Sequence, residues 1–279
     1  MPFDQTLRIG TRRSHLATAQ ATLVADALRR AHPGLNCELV PLVTRGDRRA
    51  GPLADAGGKG LFTAELEDAL RAGRIHLAVH SAKDMPAEMP AGLVIAAVPP
   101  RADPRDALVS RDGLEPADLP RGARVGTGSE RRRAQLLALR ADLEIVSLRG
   151  NVETRLAAAL DGELDAVVLA MAGLERVGLA REHAARIHPL DAAAFLPAAG
   201  QGALAVQAQA GSPAAALAEA IDHRPSHDAL QAERAVLTGL GVDCHSCVAV
   251  HVARDGDVWR ARGLSDAAGS RIVRAEASG

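Results

Sequence analysis

ARVGTGSERRRAQLLALRADLEIVSLRGNVETRLAAALDGELDAVVLA, residues 123–170, decides the fold class. Three short apolar runs within it, ARVGT (123–127), EIVSL (144–148) and AVVLA (166–170), have the length and β-branched content of buried strands. Between them lie two stretches of helical spacing, one starting at Ser129 and one at Asn151, both residue types that cap helices. Strand, helix, strand in this rhythm predicts parallel strands with helices on both faces. Each strand also empties into a loop rich in Ser, Thr or Arg, where a helix begins.

The same rhythm runs upstream. LRIGT (7–11) reads as a buried strand, followed by a helix from about Ser14 to Arg30 with Ser14 as N-cap and an apolar stripe of Leu16, Leu23, Val24, Ala27 and Leu28. CELVPLV (37–43), IHLAV (75–79) and LVIAAV (93–98) are further strands, with a helix at 61–72. The glycine-rich stretch Arg45–Gly60 reads as a mobile loop, a lid that carries Lys59. PPRADPRD (99–106) breaks the rhythm and marks a crossing between two α/β lobes, which predicts a two-lobed clamp with a cleft. GQGALAVQAQ (200–209) is a strand that returns to the first lobe. From Pro213 two helical stretches lead to Cys244, and strands such as VWRARGL and RIVRAEA close a small α+β tail.

Composition removes several functional classes. At 279 residues and 47% hydrophobic content the chain has enough apolar material for real cores. Those cores are aliphatic, because there are three Phe, one Trp and no Tyr, and this scarcity speaks against a stacking platform for nucleic acid. A formal net charge of −1 means that any anion binding must be local. No run of 18 apolar residues is present to span a membrane, and MPFDQTLRIG lacks the apolar stretch of an export signal, so the cytoplasm is the expected location. Cys37, Cys244 and Cys247 make no disulfide framework.

Charge is distributed unevenly. Of 33 basic residues the only lysines are Lys59, in GGKG, and Lys83, in HSAKDMP. Arg131 and Arg132 (GTGSERRR), Arg149 and Arg155 (SLRGNVETR) and Arg176 (MAGLERVG) gather at three successive strand-to-helix turns. Arg12 and Ser14 repeat the arrangement in the first lobe. One arginine pair at a helix start is ordinary solvated surface. Three such turns on one edge of a parallel sheet, with Thr127 and Ser129, predict a site for several carboxylates or phosphates. Asp84 would by itself be a turn cap; beside these cations it becomes a candidate for the chemical centre, where it would stay ionised and stabilise a developing cation. CHSC (244–247) is open to three readings: half of a zinc site, a redox pair, or a covalent attachment point at one thiol. No histidine spacing marks a metal site, and neither G-x-G-x-x-G nor G-x-x-x-x-G-K-[ST] occurs.

Taken together, TRRSHLATAQ, LVTRGD, GGKGLF, HSAKDMP, DPRDALVS, GTGSERRR, SLRGNVETRL, MAGLERVGL and LPAAGQGALAVQ resemble the hydroxymethylbilane synthase (porphobilinogen deaminase) family, in order from about residue 7 to 209 and more weakly to about 276. The resemblance implies two periplasmic-binding-protein-like lobes and a small α+β third domain: residues 1–99 with 197–217, then 100–196, then 218–279. It implies a cytoplasmic, monomeric transferase of heme and tetrapyrrole biosynthesis that joins four porphobilinogens head to tail, with loss of four ammonias, on a dipyrromethane cofactor. Water then releases linear hydroxymethylbilane, for hand-off to a uroporphyrinogen-III synthase. By position in the motifs, Cys244 would carry the cofactor through a thioether. Lys83, Thr127, Ser129, Arg131, Arg132 and Arg149 would hold it, while Arg12, Ser14, Arg149, Arg155 and Arg176 would hold substrate. Asp84 would bind pyrrole N–H groups and stabilise the azafulvenium cation. A tetrapyrrole on that cofactor carries about a dozen negative charges, which suits an arginine-rich site.

Four departures from the family pattern stand out. SPLA is SHLA here, with His15 for proline; GTSSLRR is GTGSERR, with Glu130 beside the arginines; EGGCQVPIG becomes GVDCHSCVAV, with Val242 and Asp243 for two glycines and Cys247 as an added thiol. Gly279 falls before the helices that usually complete the third domain. The alternatives these departures raise are a paralogue that binds a pyrrole or another polycarboxylate without turnover, and a two-lobed solute-binding protein.

Overall fold

A computed structural model of the chain describes residues 6–45, 62–241, 247–265 and 273–279. Two compact units result, Met1–Arg101 with Ala203–Cys244, and Ala102–Gly202 with His245–Gly279.

In the first unit, strands β1 (Leu7–Arg12), β2 (Cys37–Leu42), β3 (Leu77–Ser81), β4 (Leu93–Ala97) and β10 (Leu204–Gln209) form a sheet in the order β2-β1-β3-β10-β4. β1 runs parallel to both β2 and β3, whereas β10 is antiparallel to β3 and β4. Leu7, Ile9, Leu77, Val79 and Val206 face helix α1 (His15–Ala31), which lays Val24 and Leu28 against them. On the other face, Leu66 and Leu70 of α2 (Ala64–Arg71) pack on Ile75, Ala78 and Leu93. Each such buried leucine is worth about 1.5–3 kcal/mol. Gly10 makes the close approach of α2 feasible, since a Cβ there would overlap the side chains of Ile75 and Leu66.

The second unit repeats the plan. β5 (Asp106–Ser110), β6 (Arg124–Gly126), β7 (Glu144–Val146), β8 (Ala166–Ala170) and β9 (Ile187–Pro189) are ordered β7-β6-β8-β5-β9. β6 is parallel to β7 and β8, and β5 is antiparallel to β8 and β9. β5 is buried along its length, with Ala107 and Val109 entering one core and Leu108 the other, as period-2 alternation requires. Helix α3 (Glu130–Leu139) brings Leu136 to the face of Leu108, Val125 and Val168; helix α4 (Val152–Leu160) brings Leu156 to the face of Val109, Val167 and Leu169. β11 (Val248–Asp255), β12 (Val258–Ser265) and β13 (Val273–Ser278) form a separate antiparallel meander.

The expected α/β class is present, with two corrections to detail. The sheets are mixed rather than wholly parallel, because each accepts one antiparallel strand from a distant part of the chain. The stretch 99–106 is also not all connection: its last residue, Asp106, opens β5.

Candidate active site

In the first unit the parallel pairing of β1 and β3 puts their C-terminal ends side by side. β1 ends at Arg12, whose guanidinium lies 4.2 Å from the centroid of the Phe62 ring, a cation–π contact that fixes a long side chain. β3 ends at Ser81, which exchanges hydrogen bonds with the Gln20 amide at 2.9 and 3.2 Å. A single 3₁₀ turn, Ala82–Asp84, follows. Ala82 and Met85 are buried in a small core with Val98, Ala205 and Leu230, and the Ala82 N–H donates to Ala203 O at 3.1 Å. Both ends of the turn are thereby anchored. Lys83 and Asp84, between the anchors, stay half-buried, and the Asp84 carboxylate meets no hydrogen-bond or ion-pair partner among the described residues.

Ser14 acts locally, capping α1 by accepting the Ala17 N–H at 3.2 Å. Behind the strand ends His80 is buried, with Nε2 3.0 Å from Gln207 Oε1. Burial pulls its pKa down to about 4, Gln207 works against that and nearby Arg12 adds to it, so the imidazole is neutral at pH 7.

In the second unit the C-terminal ends of β7, β6 and β8 lie along one sheet edge, as the three turns predicted. After β6, Thr127 Oγ1 accepts the Ser129 N–H at 3.2 Å, and Ser129 Oγ caps α3 by accepting the Arg132 N–H at 3.4 Å. After β7, exposed Arg149 precedes Asn151, which caps α4 through the Thr154 N–H at 2.8 Å. Arg155 donates through Nε to Gly150 O at 2.8 Å. After β8, Arg176 ends helix α5 (Met171–Arg176) and donates to Gly202 O. Burial lowers the Arg176 pKa to about 10, with Glu175 opposing, which leaves it cationic at neutral pH.

Arg131 and Arg132 are the most constrained members of the set. Both are buried, and both point at Asp106, which is 0% exposed. Arg131 Nη1 lies 2.7 Å from Asp106 Oδ2; Arg132 Nη2 and Nε lie 2.7 and 3.0 Å from Oδ1. Gln201 Nε2 adds a fourth bond at 2.9 Å. Burial by itself would raise the Asp106 pKa, but the two guanidiniums and these bonds outweigh it and hold the carboxyl below the usual carboxylate range. Two guanidiniums against one carboxylate leave a net positive charge. Glu130 does not cancel it: its carboxylate is solvent-exposed and 3.6 Å from Arg133.

Lys59, Cys244, Val242 and Asp243 lie outside the described residues. Sequence reading missed Asp106, Gln201 and the His80–Gln207 pair. A charged residue opening the apolar run DALVS was a usable signal, since a carboxylate in a buried strand needs cationic partners. Among the described residues no three His, Cys, Asp or Glu side chains gather as a metal site, and no helix is long and apolar enough to cross a membrane.

The second unit's strand ends are those of an α/β protein that gathers guanidiniums along one sheet edge. The model of the family described as "Porphobilinogen deaminase, dipyromethane cofactor binding domain" matches residues 7–216. The porphobilinogen deaminase of Roseiflexus sp. (strain RS-1) is 48% identical over 274 residues, covering 98% of this chain and 89% of that protein. That of Syntrophotalea carbinolica is 50% identical over 254 residues, covering 89% and 78%. The BvgS periplasmic VFT2 domain of Bordetella pertussis aligns over 84% of this chain and 92% of its own at 15% identity and a TM-score of 0.45, too loose a likeness to bear on function. The chain belongs to the porphobilinogen deaminase family and is an enzyme of that family. The residues present fit the cofactor in the family description: its acetate and propionate groups require cationic donors, and the Asp106 cluster retains an excess of one guanidinium.

Proposed function

We propose that the chain is a hydroxymethylbilane synthase, joining four porphobilinogens head to tail with release of four ammonias and freeing the linear tetrapyrrole with water. The observation that supports this most is Asp84, a half-buried carboxylate with no described partner, on an anchored turn at a strand end in a chain 48% identical to a porphobilinogen deaminase over 98% of its length. When bound through Cys244, dipyrromethane supplies the pyrrole α-carbon from which the chain grows. Lys83, Thr127, Ser129, Arg131, Arg132 and Arg149 would hold that group.

The remaining roles follow from charge. Arg12, Ser14, Arg149, Arg155 and Arg176 bind the substrate's carboxylates, with guanidiniums supplying two-pronged contacts. Asp84 accepts the pyrrole N–H and stabilises the positive charge that develops on porphobilinogen as ammonia leaves. The same carboxylate carries away the proton lost when the new carbon–carbon bond forms. Lys59 contributes from a loop over the site. Three domains, 1–99 with 197–217, 100–196 and 218–279, are the proposed organisation. A cytoplasmic monomer that passes its product to a uroporphyrinogen-III synthase is the proposed setting.

Incubation of the purified protein with porphobilinogen tests this. The reading requires one ammonia per porphobilinogen consumed and a linear tetrapyrrole that closes spontaneously to a uroporphyrinogen. Binding of porphobilinogen without ammonia release would instead identify a non-catalytic paralogue.

A further inference from the structure

One helix of the first unit braces the Asp84 turn. In Arg224–Leu240 the buried side chains are Ser226, Ala229, Leu230, Glu233 and Arg234, a stripe at i, i+3, i+4, i+7 and i+8 that lies on one face. Ser226 and Glu233 on that face take up the Arg101 backbone and side chain. Leu230 shares a small core with Ala82 and Met85, the two residues that anchor the turn. Arg234 Nη2 donates to Ala87 O at 2.7 Å, and Ala87 comes three positions after Asp84, in the chain that leaves the turn. The same helix ends at Gly241 (φ +63°), three positions before Cys244.

Arg234 differs in kind from its neighbour. Glu233 is fully buried and neutralised by both prongs of Arg101. Arg234 is 8% exposed, and its bond among the described residues goes to an uncharged carbonyl. Burial lowers its pKa, and no carboxylate opposes that effect. A desolvated guanidinium without a counter-ion costs stability, which is why buried charges are ordinarily paired. Packing does not account for it, because an unbranched apolar side chain such as Met fills similar space with no charge to desolvate. What such a side chain cannot do is donate to Ala87 O.

We propose that Arg234 is a positioning residue for the reaction. Through Ala87 O it fixes the chain leaving the Asp84 turn, and so the placement of the Asp84 carboxylate, while Leu230 supports the turn from beneath. The unpaired charge is then retained for the site and not for the fold. The inference rests on the proposed function for what Asp84 does, but the bracing stands on the contacts alone.

The test compares wild type, Arg234→Met and Arg234→Lys as full-length proteins made in a host that supplies porphobilinogen. Rates are taken per molecule that carries the added mass. Arg234→Met should melt no more than about 2 °C below wild type, because it relieves a desolvated charge. Its KM should change less than about threefold, while single-turnover ammonia release slows about tenfold or more, as a small displacement of a reacting group does. A second readout is amide hydrogen exchange in the peptide that holds Ala82 and Met85, whose N–H groups bond Ala203 O and Ala82 O. That exchange should quicken about tenfold or more in Arg234→Met, with β1 unchanged. Arg234→Lys keeps a donor of nearly the same reach and should recover about a third or more of the rate, since the arginine uses one nitrogen in this bond. Wild-type ammonia release and exchange in Arg234→Met would overturn the proposal, as would a lysine variant no faster than the methionine one. An Arg234→Met protein that fails to fold, or melts about 5 °C or more lower, marks a structural residue and also contradicts it. Wild-type protein that releases no ammonia would count against the proposed function instead, and the exchange comparison would still decide the bracing.

Discussion

Arg101 and Glu233, far apart in the chain, form a two-pronged ion pair, with Nη1 2.7 Å from Oε1 and Nη2 3.2 Å from Oε2. Glu233 is 0% exposed and the Arg101 side chain 10%. The Arg101 N–H also donates to Ser226 Oγ at 2.9 Å, so the residue that ends the first unit's leading segment is bound to the helix Arg224–Leu240 by backbone and side chain together. Removing one partner of a buried pair strands the other charge. Glu233→Ala should therefore cost about 3–5 kcal/mol, measured by chemical denaturation, whereas Arg224→Ala, which breaks the exposed pair with Asp228 on the same helix, should cost less than about 1 kcal/mol.

Stability should fall on mild acidification because of His80. An imidazole that titrates near 6.5 when unfolded and about 4 when folded binds fewer protons in the native state between those values. Its contribution is complete above about pH 6.5 and is lost as the pH drops towards 4, by at most about 3 kcal/mol. Burial lowers the His76 pKa as well and adds to the slope in the same direction. The stability difference between wild type and His80→Gln should shrink between pH 7 and 4.5. A difference that stays constant would show that His80 does not titrate in this window.

Asp84→Asn separates chemistry from folding. The carboxylate has no described partner to lose, so the melting temperature should hold within about 2 °C, while kcat should drop by about 10²–10³ through loss of charge stabilisation. Single-turnover ammonia release is the suitable measurement, since it isolates the step at which positive charge develops.

Glu130 occupies a position that looks hostile to anion binding in the sequence. Its carboxylate lies 3.6 Å from Arg133 on the exposed side of α3, and as the first residue of that helix it also favours the positive dipole end. Glu130→Leu should change loading less than about twofold and cost about 0.3–1 kcal/mol of stability. A large gain in loading would mean that the carboxylate acts on Arg131 after all.

What could be read in the sequence was what depends on local pattern. Strands at 7–12, 37–42, 77–81, 93–97 and 166–170 announce themselves as apolar runs between turn signals, and Ser14, Ser129 and Asn151 cap the helices they were expected to cap. Asp106 was harder to read for the converse reason, although a carboxylate opening the apolar run DALVS was a signal. It follows three prolines and two arginines that read as a connection, and the residues that bind it lie 25, 26 and 95 positions away. The antiparallel entry of β10 and β5 was equally hidden, since hydrophobic pattern marks a strand but not its direction. The arginines at the second unit's strand ends were recognisable from motifs. The unequal bonding of Arg131 and Arg132 was not, because it depends on which nitrogen finds which acceptor.

The proposed activity depends on Cys244 carrying the pyrrole primer on which this enzyme builds. The most direct measurement is the intact mass of wild type, Cys244→Ala and Cys247→Ala, each produced in a host that makes porphobilinogen. The expected result is an added mass equal to two porphobilinogens less two ammonias in wild type and Cys247→Ala, and none in Cys244→Ala. Wild-type protein that stays unmodified even after incubation with porphobilinogen, or an adduct that survives Cys244→Ala, would contradict it.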